Sequence, residues 1–145
     1  MLERWEAKGA AVTVREIAPG EMTILRLRRP SQADLRRVGK LLGAKLPTEP
    51  NRATDGSLRA IWIGPDEWLL WGEAPLPAAI EAAARDAVTA LAVPVGDGRC
   101  VFEVTGAGAA DLMAKGSSID LVHQVASSEM SAMTRFAQVH VLIDR

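Results

Sequence analysis

Cysteine is nearly missing from this chain of 145 residues. Cys100 stands alone, so no disulfide can close within one copy and no cysteine cage for zinc can be assembled from it. That usage fits a reducing, cytoplasmic setting. Aromatic residues are scarce as well, with no tyrosine, two phenylalanines and four tryptophans. Charge of one sign is not in excess. Seventeen basic and eighteen acidic side chains leave a formal charge of −1, which argues against a dedicated nucleic-acid-binding domain. No apolar run approaches the ~18 residues of a membrane span. The start, Met1-Leu2-Glu3-Arg4-Trp5-Glu6, lacks the apolar core of a signal peptide. The expectation is a soluble, unexported protein with neither nucleic acid nor membrane as partner. With 48% hydrophobic residues, residues 1–145 are expected to form one domain around one core, without staples.

The rings that are present are concentrated. Residues 61–71, Ile61-Trp62-Ile63-Gly64-Pro65-Asp66-Glu67-Trp68-Leu69-Leu70-Trp71, hold three of the four tryptophans. Two apolar runs flank a Gly-Pro-Asp-Glu break, and Pro65 fixes φ as the first central residue of a turn requires, so the stretch reads as a hairpin. Upstream, residues 12–17 and 22–29 alternate as strands, with a Pro19-Gly20 turn between them. Arg26 and Arg28 oppose Leu25 and Leu27, which predicts a second strand solvated on one side. Ser31 with Asp34 forms a capping box, and Leu35, Val38, Leu41 and Leu42 define the apolar face of a helix that Gly43 ends. Residues 46–58 read as a surface loop with a recognition role as the sharper alternative. A second helix is expected to open at Pro75 and Pro77, to bury Ile80, Ala84, Ala87, Val88 and Leu91, to pair Glu81 with Arg85, and to end at Pro94. Cys100, Phe102 and Val104 share an apolar strand face. A short helix capped by Thr105 and ended by Lys115-Gly116 follows, and residues 135–143 form a terminal strand. Residues 22–105 thus read strand, helix, strand, strand, helix, strand, the ferredoxin-like βαββαβ order. The class is α+β, with a mixed, mostly antiparallel sheet and helices on one face.

Candidate chemistry is thin. Gly106-Ala107-Gly108 between strand and helix could cradle a phosphate, but Asp111 stands where a dinucleotide fingerprint wants a small residue, so a tight turn is the simpler account. His123 and His140 have no metal-ligand spacing, and His140 shares the polar face of its strand with Gln138, which favours a hydrogen-bonded structural histidine over a general base. Cys100 is expected to be a buried, unreactive thiol. Asp66 and Glu67 are adjacent and point to opposite sides, so turn polarity explains them better than paired catalysis. The one electrostatic asymmetry lies in residues 26–45, which carry seven Lys or Arg against one acid, Asp34. A solvated face, an acidic partner surface and an anionic ligand such as a folate tail are the readings it allows.

Three segments together resemble the gamma subunit of heterotetrameric sarcosine oxidase: Leu46-Pro47-Thr48-Glu49-Pro50-Asn51; Gly64-Pro65-Asp66-Glu67-Trp68-Leu69-Leu70; and Val104-Thr105-Gly106-Ala107-Gly108-Ala109-Ala110 with Ala114-Lys115-Gly116 and Ile119-Asp120-Leu121. The likeness spans residues 10–145. It implies an aminomethyltransferase-like folate-binding fold, ended early at Arg145, in a complex that oxidatively demethylates sarcosine to glycine. It further implies that flavins, NAD and tetrahydrofolate sit on partner subunits, and that no catalytic, cofactor-binding or metal residue is assigned to this chain. The expected partners are the larger subunits, the alpha subunit first, with self-association of the isolated chain through an unpaired sheet edge. A stand-alone folate-binding or one-carbon-transfer domain is the competing reading.

Overall fold

The structure, a computed structural model, describes residues 5–72, 77–84 and 89–145. Strands β1 (Glu6–Lys8), β2 (Thr13–Ile17) and β3 (Met22–Leu27) come first. Helix α1 (Gln32–Leu42) follows, then β4 (Ala53–Thr54), β5 (Arg59–Gly64), β6 (Glu67–Trp71), helix α2 (Pro77–Ala84) and β7 (Ala90–Pro94). After a 3₁₀ turn at Gly96–Gly98 come β8 (Val101–Thr105), α3 (Ala109–Gly116), α4 (Leu121–Gln124), β9 (Ser131–Phe136) and β10 (Val139–Asp144). This is a mixed α+β fold whose strand pairings are antiparallel. Among the described residues no helix is long and apolar enough to cross a membrane.

The centre is a five-stranded sheet in the order β4-β5-β6-β3-β7. Leu25 lies opposite both Trp68 and Ala92, so one face carries Leu25, Leu27, Ala60, Trp68, Leu70 and Ala92. Val38 and Leu42 of α1 and Ile80 of α2 close over that face and complete the main core. The other face carries Met22, Ile24, Ile61 and Leu69, covered by Val95, Val101 and Leu142. The expectation that β3 is solvated on its arginine side therefore holds only at its end. Arg26 and Arg28 are exposed, whereas Met22 on the same side is buried.

Local signals behave as local physics requires. The Ser31 hydroxyl accepts from the Asp34 N–H at 3.2 Å while the Asp34 carboxylate accepts from the Ser31 N–H at 2.9 Å. Gly43 ends α1 at φ 63°. Leu41 is the exception on that helix, 40% exposed. It sits about 60° further round than Val38 and clears the sheet. In the tryptophan hairpin Gly64 pairs with Glu67 around Pro65-Asp66, and Asp66 adopts φ 60°. Positive φ at the second central residue is the type II pattern. An unprimed turn splays a hairpin, and a register irregularity between Trp62 and Gly64 lies next to it.

Longer-range expectations needed correction. The second helix does not run to Pro94. Residues 90–94 are the edge strand β7, in which Ala92 faces the core and Leu91 and Val93 face outward. The expected positions Pro75, Arg85, Ala87 and Val88 lie outside the described residues. The sixth element of the strand-helix-strand-strand-helix-strand run is consequently β7, not the strand at 99–104. That strand, β8, pairs with β2 in a separate three-stranded sheet, β1-β2-β8. The end of the chain is no single strand. It is a hairpin of β9 and β10 turning at Ala137-Gln138, with Ala137 at φ 51°. Among the described residues three sheets thus replace the one large sheet expected. A third cluster joins Leu121, Val125 and Ala132 to Met113, Ile119 and Ile143, and it sets α3 and α4 against the terminal hairpin. Thr105 stays in β8 and does not cap α3, whose N-cap is Gly108 with no side-chain bond. Gly116 is part of α3, and a Cβ there would overlap the Phe136 ring, so close packing rather than a left-handed cap demands glycine.

Candidate functional site

Where β3 runs out toward α1, three elements meet. The β5–β6 turn is tied to β3 by the Leu27 N–H donating to the Asp66 carbonyl at 2.9 Å, and the approach to β7 is tied by the Arg28 N–H donating to the Thr89 carbonyl at 2.9 Å. Arg29, at φ 50°, turns the chain away toward Pro30 and α1. The result is a cleft of about 400 Å³ lined by Arg26, Arg28, Arg29, Pro65, Asp66, Thr89 and Leu91. Its three guanidinium groups are exposed, and none of them forms an ion pair among the described residues. Chemically it is a cationic surface with an apolar wall, suited to holding carboxylates.

The asymmetry of residues 26–45 is thereby divided. Arg26, Arg28 and Arg29 converge on the cleft, whereas Arg37 lies 3.8 Å from Asp34 on α1. The Asp34 carboxyl is held below the usual aspartate range, first by the Ser31 hydroxyl, then by the Ser31 N–H, with the Arg37 charge adding to both. Thr89 and Leu91 were not legible as cleft residues. Leu91 reads as helical in isolation, and only pairing with Arg26 across β3 and β7 brings it to the site.

The other candidates are dispersed. Gly106 takes φ 105°, and the Gly108 N–H donates to the Ala11 carbonyl at 2.9 Å, so this turn packs against the approach to β2 and does not fit a pyrophosphate. His123 sits on α4 with Nδ1 2.6 Å from Asp120 Oδ2, both exposed. His140 is exposed on β10 opposite Arg135, rather than held in a structural niche. Cys100 is an exposed free thiol just ahead of β8, contrary to the buried position expected. The strand face it was assigned to is open, with Phe102 half exposed and met edge-on by Trp5 at 6.2 Å between ring centroids. Asp66 and Glu67 divide between the turn and β6. The 46–58 segment is more embedded than a surface loop. Leu46, Ala53 and Leu58 are buried, and the Trp68 indole N–H donates to the Pro47 carbonyl at 2.7 Å.

Sequence reasoning missed one cluster altogether. Arg59 on β5 donates through Nε and Nη2 to Asp144 at 2.5 and 2.6 Å, through Nη1 to Asp55 at 2.8 Å, and to the Ser128 carbonyl at 2.6 Å. The Asp144 bonds raise its pKa most, with Asp55 adding to them against partial burial. Its partners lie up to 85 residues away, beyond any local pattern. The cluster is a clasp between the central sheet and β10, not a reactive centre. Among the described residues no group of three His, Cys, Asp or Glu is placed to hold a metal ion.

No curated relative matches the chain by sequence. Among solved structures, a chain of the heterotetrameric sarcosine oxidase from Corynebacterium sp. U-96, in complex with pyrrole 2-carboxylate, is similar at a TM-score of 0.77 and 25% identity, covering 97% of this chain and 73% of that one. The family model for sarcosine oxidase, gamma subunit, matches residues 30–144, which include α1, the tryptophan hairpin and the terminal hairpin, whereas Arg26, Arg28 and Arg29 of the cleft lie just ahead of that span. On that match the chain belongs to the sarcosine oxidase, gamma subunit family.

Proposed function

We propose that the chain is a noncatalytic assembly subunit of a sarcosine oxidase complex that oxidatively demethylates sarcosine to glycine. The observation that carries the reading is the family match over residues 30–144. The similarity to a chain of a heterotetrameric enzyme supports the presence of other subunits as partners, the alpha subunit first among them. Three of the candidate groups have structural occupations: the glycine turn holds Ala11, Asp66 makes a turn, and His123 is bonded to its N-cap neighbour Asp120. Flavins, NAD and tetrahydrofolate belong, in this reading, to partner subunits. The strand order β5-β6-β3-β7 with α1 and α2 on one face supports a ferredoxin-like core, within an aminomethyltransferase-like folate-binding fold. A cytoplasmic location is supported by the exposed thiol of Cys100.

Reconstitution tests this. Subunits of the complex expressed without this chain should lose stable assembly, adding the chain should restore it, and the chain alone should not oxidise sarcosine. Turnover of sarcosine by the isolated chain would refute the proposal. Calorimetric titration of the isolated chain with a tetrahydrofolate analogue separates the competing reading, because saturable one-to-one binding favours a folate-binding domain.

A further inference from the structure

The cleft belongs to a larger surface. Arg26 of β3 lies directly opposite Leu91 of β7, and Ile24 opposite Val93, so these side chains emerge on the same side of the sheet. Leu91 is 55% and Val93 42% exposed, an unusual amount of aliphatic surface beside three guanidinium groups that form no ion pair among the described residues. Elsewhere on this face the sheet is covered by Val95, Val101 and Leu142. An apolar strip flanked by cations is the make-up of a protein interface, where the strip excludes water and the charges fix the partner. A site built for a small anion would bury its cations, and these are exposed.

Strand addition is disfavoured as the mode of docking by the edge itself. The Val95 N–H donates to Met22 and the Arg28 N–H to Thr89, so in this register residues 91, 93 and 95 bond to β3 while 90, 92 and 94 point to the free edge. The Ala92 N–H is already taken by Glu81 Oε1 from α2 at 3.1 Å, and Pro94 has no N–H to offer. The edge keeps only the Ala90 N–H as a donor, and the face is the better surface for a partner.

We infer that the surface formed by Arg26, Arg28, Arg29, Leu91 and Val93 is where this chain docks an acidic segment of another subunit of the oxidase, whose carboxylates enter the arginine cleft while apolar side chains cover Leu91 and Val93. The inference rests on the assembly role proposed above. It names the surface and the chemistry of the partner, which that role leaves open.

The test is co-expression of the tagged chain with the remaining subunits of the complex, followed by affinity recovery at several salt concentrations. Reversing the three charges together, Arg26→Glu, Arg28→Glu and Arg29→Glu, should cut recovery of the other subunits about tenfold or more, with the loss deepest at low salt, where repulsion is least screened. Leu91→Ser, which removes apolar surface without adding charge, should weaken recovery at every salt concentration. Lys40→Glu, on the exposed part of α1, should leave it unchanged, which separates the cleft from general basicity. Circular dichroism melting verifies that each variant is folded. Wild-type recovery by the folded triple variant would overturn the inference and leave the assembly role standing, whereas failure of the wild-type chain to recover any subunit would overturn both. Light scattering of the isolated chain supplies a further check: a dimer that the triple variant dissociates, with assembly of the complex unaffected, would assign the surface to self-association and overturn the inference.

Discussion

Trp68 shows how one residue can anchor the core and fix a distant segment together. Its ring is among the largest fully buried groups, and its indole N–H satisfies the Pro47 carbonyl across twenty-one residues of sequence. Trp68→Phe would leave that carbonyl unpaired in the interior and a void beside Leu46. The expected loss is about 2–4 kcal/mol of unfolding free energy, read as a lower urea midpoint at unchanged slope. The sequence allows the tryptophan-rich stretch to serve either the core or a partner surface and does not say which ring is buried: Trp68 lies inside whereas Trp62 and Trp71 are partly exposed. Cys100 illustrates the converse. It alternates with Phe102 and Val104, yet it lies just ahead of β8 and Phe102 on that side is itself half exposed, so the thiol stays exposed.

Elements were legible in proportion to how local their signals are. Helix α1 was readable at both ends, because the capping box spans residues 31–34 and Gly43 lies directly after the last turn, though Leu41 of its apolar face is exposed. Its pH response follows. Asp34 has a folded pKa below its unfolded value, so its contribution is present above the ordinary aspartate pKa and is lost as pH falls through the lower folded pKa. Asp34→Ala should therefore lower the melting temperature at pH 7, and the gap from the parent should shrink in acid titration as pH drops below the usual aspartate range. A gap that grew in acid would contradict the capping account. Strand β7 was misread for a physical reason too: apolar residues at 87, 88 and 91 continue a helical stripe on paper, while bonds from β3 to residues 89 and 95 fix residues 90–94 as extended chain.

At the scale of the molecule, the three sheets of the described residues share no continuous ladder, and the central sheet meets the terminal hairpin both through side chains and through backbone bonds, the Ala53 N–H donating to the Glu129 carbonyl at 2.9 Å and the Ser131 N–H to the Asn51 carbonyl at 3.0 Å. The Arg59 clasp is the most concentrated of these links, binding β5 to Asp144 at the end of β10 and to the segment around Ser128. A lysine offers one ammonium in place of the planar fork, so Arg59→Lys keeps the charge and loses the bidentate geometry. It should cost about 1–2 kcal/mol. Amide hydrogen exchange should quicken in β9 and β10 well before it does in β3 and β6. Uniform acceleration across all sheets would show instead that the clasp supports the whole fold and not one contact between its parts.

Sequence by itself determined the pieces whose causes lie within a turn or two of chain: the α1 caps, the Pro65-Asp66 hairpin, the small-residue turn at Gly106, and the excess of cations near residue 26. It also carried the family likeness, because the distinctive segments are contiguous. Tertiary structure alone decided which strand closed the central sheet, that residues 131–144 fold back as a hairpin, and which three arginines share a cleft with Leu91. The reason is the range of the forces involved. Caps and turns are bonded within a few residues, whereas strand partners are chosen by burial and pairing between segments far apart in sequence, and a functional surface exists only after those choices are made.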